Sequence, residues 1–222
     1  MDRTVLWDFD DTLAHRPGKF GGAMMAVLER EMPGHGASRD SLREHLASGF
    51  PWHTPEVPHC ELSTPQIWWE ALEATLANPY RASGVPAERT AELAHIAGRE
   101  YVDPDHYLLF ADTKPALQTL SDRGWRHVIV SNHVPELPAI VTALGLDDVI
   151  DAVVSSAATG YEKPHPKAYA AGLAAAGNPA SAVMVGDNPV ADVLGGEEVG
   201  LRAVLARRDD ARARRTSGRR ST

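Results

Sequence analysis

An α/β fold is what this sequence predicts: a doubly wound, mostly parallel sheet with an inserted all-helical cap. Three observations carry the prediction. An apolar run near the start, Val5-Leu6-Trp7, reads as a short buried strand. From Thr113 to Leu205 strand and helix patterns alternate, as parallel β-α units do. Between them, from about His15 to His106, the apolar residues recur at helical spacing. A chain of 222 residues has room for one core domain with such an insertion.

The first strand starts at Thr4 and runs into Asp8-Phe9-Asp10-Asp11-Thr12. In the insertion, Met24-Met25, Val27-Leu28 and Met32 fit one face of a helix from roughly Phe20 to Glu31. Ser38 is placed to cap a second, short helix through Leu46. Residues 49–60 contain Pro51, Pro55 and Pro58, which forbid a regular helix there. Thr64-Pro65 opens a third helix, with Ile67, Trp68, Leu72 and Leu76 at helical spacing. Trp68 and Trp69 are adjacent, so at most one faces the helical core. Ala87 to Tyr101 is a fourth helix.

In the second half, Thr113 caps a helix that continues to about Arg123 and stops at Gly124. Arg126 to Val130 is a buried strand, and Pro135 to Leu144 a helix ended by Gly145. Val149 to Ser155 is a strand, and Lys167 to Ala176 a helix closed by Gly177. Ala182 to Val185 is a strand, Val190 to Val199 a helix closed by Gly200, and Leu201 to Leu205 a last strand. The expected division is a core of residues 1–14 and 107–206 with a helical cap of 15–106.

Composition narrows the function classes. Net charge is −8, which disfavours general nucleic-acid binding. The charge is uneven. Residues 207–222 hold seven Arg and two Asp, a local +5, which leaves −13 on residues 1–206. That Arg-rich tail, with almost no apolar residues, reads as disordered. No stretch is long and apolar enough to span a bilayer. A strand starting at Thr4 leaves no room for a signal peptide, and a lone cysteine, Cys60, allows no internal disulfide. A cytoplasmic protein is the expectation, with no nucleic-acid or membrane partner.

The chemistry gathers at strand ends. Alternation along a strand points Asp8 and Asp10 the same way at the carboxyl end of the first one. Open α/β sheets bind ligands there. Two close carboxylates repel, so the site calls for a cation, a proton or both. Other strands lead into Ser131-Asn132, into Lys163 and into Gly186-Asp187 through Asp192. In a parallel sheet these converge on one rim. A nucleophilic carboxylate, a second carboxylate, a hydroxyl donor, an ammonium and two more carboxylates suit phosphoryl transfer, whose charge spreads over peripheral oxygens. Asp8 and Asp187 offer the hard oxygens that Mg²⁺ prefers.

Taken in order, these four segments resemble the signatures of the haloacid dehalogenase superfamily. The first is Asp8-Phe9-Asp10-Asp11-Thr12, the second Ser131, the third Lys163 and the fourth Gly186-Asp187 through Asp192. The resemblance covers residues 4–205, and the insertion directly after the first signature resembles that family's helical type-1 cap. It implies a Rossmann-like core and specific roles. Asp8 is implied as the nucleophile that forms an aspartyl-phosphate. Asp10 is implied as acid and then base, with its backbone carbonyl on Mg²⁺. Thr12 is implied to help place Asp10. Ser131, with Asn132 alongside, is implied to hold a phosphoryl oxygen, and Lys163 to bridge nucleophile and phosphoryl group. Asp187 is implied to bind Mg²⁺, and Asp192 to orient Lys163 or a metal-bound water. One departure is Asp11, where the family usually has glycine.

The expected activity is therefore a Mg²⁺-dependent phosphatase acting on a small phosphorylated metabolite, enclosed by the cap. Dehalogenation is disfavoured by Asp10, since breaking a C–halogen bond needs no proton for the leaving group. A phosphonatase needs a Schiff-base lysine in the cap, where only Lys19 is available. A phosphosugar mutase would keep Asp10 and the cap, and remains an alternative. So does a non-catalytic protein that binds a phosphorylated ligand. His15, Trp52, His53 and His59 are cap candidates for facing substrate, and His133 lies next to the active rim.

Overall fold

The apolar strands pair as a five-stranded sheet. The computed structural model describes residues 2–206; the Arg-rich tail expectation falls outside them. The strands are β1 (Arg3–Trp7), β4 (Trp125–Ser131), β5 (Ala152–Ser155), β6 (Ser181–Gly186) and β7 (Arg202–Leu205), in the order β5-β4-β1-β6-β7. Every pairing is parallel. The central strand, β1, sets Trp7 beside Ile129 on one side and Val185 on the other. The chain leaves β1 for β4 and β5, then returns past it to β6, so a crevice opens at the carboxyl end of β1.

Alternation along the strands feeds two cores. Val5, Trp7 and Ile129 pack on one face under α5 (Thr113–Ser121) and α6 (Leu137–Ala143). Leu6, Val128, Val130 and Met184 pack on the other, with Tyr169 of α8 (Pro166–Ala175). Burial on both faces is why these strands read as continuous apolar runs.

A two-residue antiparallel ribbon, β2 (Ala14–His15) with β3 (Leu108–Leu109), brackets the helical block. Its helices are α1 (Lys19–Glu31), α2 (Arg39–Glu44), α3 (Pro65–Ala82) and α4 (Ala87–Val102). Ser38 and Ser41 make a reciprocal cap at the start of α2, each hydroxyl accepting the other's backbone N–H at 3.1 Å. Thr64 caps α3. Met24 and Leu28 of α1 meet Tyr80 and Leu93 in one cluster, while Trp68 and Leu72 join Phe20 and Phe50 in another. The second cluster reaches Val134 and Ala157 beside the sheet, and Trp69 Nε1 donates to Glu136 Oε1 at 2.8 Å.

Several expectations are corrected. Ile67 is 45% exposed; the buried stripe of α3 is Trp68, Leu72 and Leu76, four residues apart. Thr113 does not cap α5, because its hydroxyl donates to the Leu13 carbonyl at 2.6 Å and ties the helix to the first loop. The strand expected from Val149 starts at Ala152, since Val149 and Ile150 donate back to Leu146 and close the turn after α6. The expected helix over 190–199 is a wide π-helical turn, Pro189–Leu194, followed by α9 (Gly195–Glu198). A one-turn helix, α7 (Ser156–Thr159), and the β2–β3 ribbon lack any signal of length or periodicity in the sequence.

Candidate active site

The first loop leaves β1 in a tight turn. The Phe9 carbonyl accepts from the amides of Thr12, Leu13 and Ala14, and Asp11 sits at φ +61°. That left-handed conformation is one glycine adopts readily and aspartate tolerates better than most residues. It accounts for Asp11 standing in a glycine position. The Asp11 side chain turns to Lys19 Nζ at 2.8 Å.

Asp8 extends β1 by one residue and is anchored by its own N–H on the Val185 carbonyl at 2.8 Å. Its carboxylate is buried. Oδ1 accepts from Ser131 Oγ at 2.8 Å and from Lys163 Nζ at 2.9 Å, and Thr12 Oγ1 reaches Oδ2 at 3.4 Å. Lys163 is fully enclosed and also donates to Asp192 Oδ1 at 2.5 Å. Burial alone would lower the pKa of this ammonium, but Asp8 and Asp192 outweigh it and the net shift is upward.

Asp192 reaches Lys163 through its own local architecture. Asn188 Oδ1 accepts from the amides of Val190 and Ala191 at 3.0 and 3.1 Å and caps the wide turn. Asp192 Oδ2 in return accepts from the Asn188 amide at 2.9 Å. A Cβ on Gly186 would overlap the Asp192 carboxylate, so the glycine ending β6 is what lets Asp192 lie so close. Both oxygens of Asp192 are thus engaged. Asn132 is engaged too. Its amide donates to the Lys163 carbonyl at 2.8 Å and accepts from the Lys163 amide at 2.6 Å, clamping the loop that presents the ammonium.

Asp10 differs from Asp8. Burial is the largest influence on its carboxyl and raises its pKa, against the opposing charge of His133. Its Oδ1 is enclosed with no hydrogen-bond partner among the described residues, and its Oδ2 lies 3.8 Å from His133 Nε2. His133 is itself buried, which lowers its pKa. Asp187 is half-buried; burial first, then the charge of Asp8, pushes it up to about 7. Asp8, Asp187 and Asp192 each offer an oxygen within 4.8 Å of the others.

Asp8, Asp10, Ser131, Asn132, Lys163, Asp187 and Asp192 line one cavity of about 980 Å³, whereas Thr12 and His133 are buried and do not line it. Of the cap candidates, Trp52 and His53 line it, whereas His15 and His59 do not. The sequence reading missed Arg43, Phe20 and Phe50, which also line it. Their only signal was membership of the inserted block, because a helix's polar face and its apolar stripe look alike whether they meet solvent, core or ligand.

This arrangement joins a lysine-bridged carboxylate, a partly protonatable second carboxylate and a potential cation site at the end of one sheet. A family model for haloacid dehalogenase-like hydrolases matches residues 3–200. The chain belongs to the haloacid dehalogenase-like hydrolase family. It is therefore a hydrolase, and relatives named as phosphatases agree with that. It is 35% identical to a phosphoserine phosphatase of Thermus thermophilus, over 91% of this chain and 87% of that protein. It is 27% identical to human haloacid dehalogenase-like hydrolase domain-containing protein 3, over 91% of this chain and 81% of the relative. A ribulose-1,5-bisphosphate 5-phosphatase of Halopiger xanaduensis is 29% identical over 92% of this chain and 84% of its own length. Among solved structures, the haloacid dehalogenase-type hydrolase YfnB of Bacillus subtilis superposes with a TM-score of 0.70 at 19% identity, covering 92% of this chain and 88% of that one. The L-2-haloacid dehalogenase of Xanthobacter autotrophicus gives 0.66 at 24%, covering 100% and 84%. At those identities the two structures speak for the shared fold alone.

Proposed function

We propose that this hydrolase is a Mg²⁺-dependent phosphatase of small phosphomonoesters, working through an aspartyl-phosphate on Asp8. The observation that carries the reading is a pair of carboxylates at the end of β1 in opposite settings. Asp8 is bridged by Lys163 and Ser131, while Asp10 is pushed toward its protonated form by burial. Carboxylates with environments that differ in this way take separate nucleophile and acid roles. The names of the phosphatase relatives point the same way.

In this reading the more lightly held Oδ2 of Asp8 attacks phosphorus. The bond from phosphorus to the ester oxygen breaks, and Asp10 gives that oxygen its proton. Asp10, now a carboxylate, takes a proton from water. The water oxygen bonds to phosphorus, and the bond to Asp8 breaks to release phosphate. Ser131 and Lys163 donate to the peripheral phosphoryl oxygens. Asp192 holds Lys163, and Asn132 acts through the Lys163 main chain. Thr12 steadies Asp8.

The donors fit Mg²⁺. Asp8 and Asp187 present hard oxygens at close range, the Asp10 carbonyl follows from the family pattern, and Asp187 is shifted upward by burial first and then by the neighbouring carboxylate charge that a cation would offset. Bound there, the ion would offset the charge of the carboxylates and of the phosphoryl group. We further propose that residues 15–106 act as a cap over a core of 1–14 and 107–206. The test is phosphate release from p-nitrophenyl phosphate and small metabolite esters, with and without Mg²⁺. Metal-dependent release that disappears in Asp8→Asn is expected. Release that survives in Asp8→Asn contradicts the reading.

A further inference from the structure

The cavity has two unlike walls. The strand ends supply carboxylates, Ser131 and Lys163. The helical block supplies Phe20, Leu46, Phe50, Trp52, Pro55 and Tyr101, whose hydroxyl is already hydrogen-bonded with Tyr107. Phe50 and Trp52 stack with centroids 4.6 Å apart and planes 10° apart, and Trp52 keeps part of its ring exposed. Among the described residues, no Ser, Thr, Asn, Gln, Asp or Glu of the block lines this cavity.

Three basic groups stand on that wall, and two are already engaged. Lys19 is ion-paired with Asp11 at 2.8 Å. His53 Nδ1 accepts from the Phe50 amide, and burial lowers the pKa of its ring. The guanidinium of Arg43, on α2, has no ion pair or side-chain hydrogen bond among the described residues. An unpaired arginine facing a cavity in a chain of net charge −8 is an open anion receptor.

We infer that the substrate is a phosphomonoester whose leaving group is a planar, apolar body bearing a second anion, read by Trp52 and Arg43. This rests on the phosphatase reading above and narrows it. A polyhydroxylated sugar would set most of its hydroxyls against Phe20, Leu46, Phe50, Trp52 and Pro55, which cannot pair them, and that costs binding. A free ammonium would find no carboxylate on that wall. A flat ring gains stacking area on the Phe50–Trp52 pair, and a carboxylate or second phosphate gains a charge-assisted hydrogen bond to Arg43. The volume, about 980 Å³, leaves room for such a body beyond the phosphoryl group.

The test compares three esters of primary alcohols, so that leaving-group chemistry is matched: 4-carboxybenzyl phosphate, benzyl phosphate and glucose 6-phosphate. With Mg²⁺, kcat/KM is expected to fall in that order, by about tenfold for loss of the carboxylate. Arg43→Met should collapse the ratio of the two benzyl esters toward one, through KM and not kcat, and Arg43→Lys should restore part of it. Trp52→Ala should bring both benzyl esters down toward glucose 6-phosphate. A preference for glucose 6-phosphate, equal use of the two benzyl esters, or a ratio that survives Arg43→Met overturns the inference. The same esters titrated calorimetrically into Asp8→Asn report binding without turnover. If the wild type hydrolyses neither these esters nor p-nitrophenyl phosphate, the phosphatase reading falls, while the calorimetric order still decides whether Trp52 and Arg43 read the body of the ligand. The same order of affinities supports that role, and its absence overturns it. Release from p-nitrophenyl phosphate with none from the benzyl esters overturns the inference and leaves the phosphatase reading standing.

Discussion

Glu162 sits immediately before the bridging lysine and is 2% exposed. Its Oε2 is enclosed without a hydrogen-bond partner among the described residues. Burial pushes its carboxyl from 4.5 up to about 7, even though Ser156 and Lys163 pull it down. The folded state therefore keeps a proton that the unfolded chain releases between those two values. Stability contributed by this proton is complete below pH 4.5, is lost as pH rises, and is gone above about pH 7. A tenfold difference in proton affinity is worth ~1.4 kcal/mol, so the penalty at pH 8 is about 3 kcal/mol. Glu162→Gln replaces the carboxyl with a neutral group of the same shape and should remove that penalty. Urea unfolding should find the variant about 3 kcal/mol more stable than wild type at pH 8, but less than about 1 kcal/mol more stable at pH 5. In thermal melts at pH 8 this is a rise of roughly 6–12 °C for a chain of this size. An equal effect at both pH values, or a variant that is less stable at pH 8, would refute the reasoning.

Three further predictions follow from the same geometry. Lys163→Met leaves Asp8 and Asp192 enclosed without their cation, and should cost about 3–5 kcal/mol in unfolding free energy along with all phosphate release. Unchanged stability would mean that the ammonium does not bridge the two. Gly160→Ala should lower the melting temperature, by about 1–3 kcal/mol in stability, because Gly160 has φ +75° and an added Cβ would stand 2.5 Å from the Cys60 backbone. A neutral substitution would deny the close approach of residues 59–60 to α7. Because Asp187 is pushed up to about 7, protons compete with a cation at this carboxylate. Mg²⁺ affinity measured by calorimetry should fall toward tenfold per pH unit between about pH 7 and pH 5, and a flat profile would remove Asp187 from the cation site.

What the sequence disclosed and what it concealed divide along one physical line. Features set within a few residues, or by strand direction alone, were legible. Asp8 and Asp10 share a strand end because of two-residue alternation. Ser38 and Thr64 cap helices through neighbouring amides. The strand ends at Ser131 and Asp187 converge because a parallel sheet aligns them. Features set by partners far along the chain were hidden. The clamp of Asn132 on the Lys163 main chain spans thirty-one residues. The hydroxyl of Thr113 reads as a cap until Leu13, one hundred residues earlier, claims it. Arg43 and the aromatic wall join the cavity only through the packing of the helical block. The wide turn after Asn188 replaces a regular helix because Asp192 folds back on the Asn188 amide across Gly186, a contact that no periodicity encodes. His133 gains its setting the same way, buried between Asp10, Phe9 and Tyr107.

The most direct measurement is the mass of the peptide containing Asp8 after the enzyme is mixed with Mg²⁺ and a hydrolysed phosphomonoester and rapidly quenched in acid. The account predicts the added mass of one phosphoryl group on Asp8, appearing before steady-state phosphate release and absent in Asp8→Asn. Turnover with no phosphoryl group on that peptide, or the group on another residue, would contradict it.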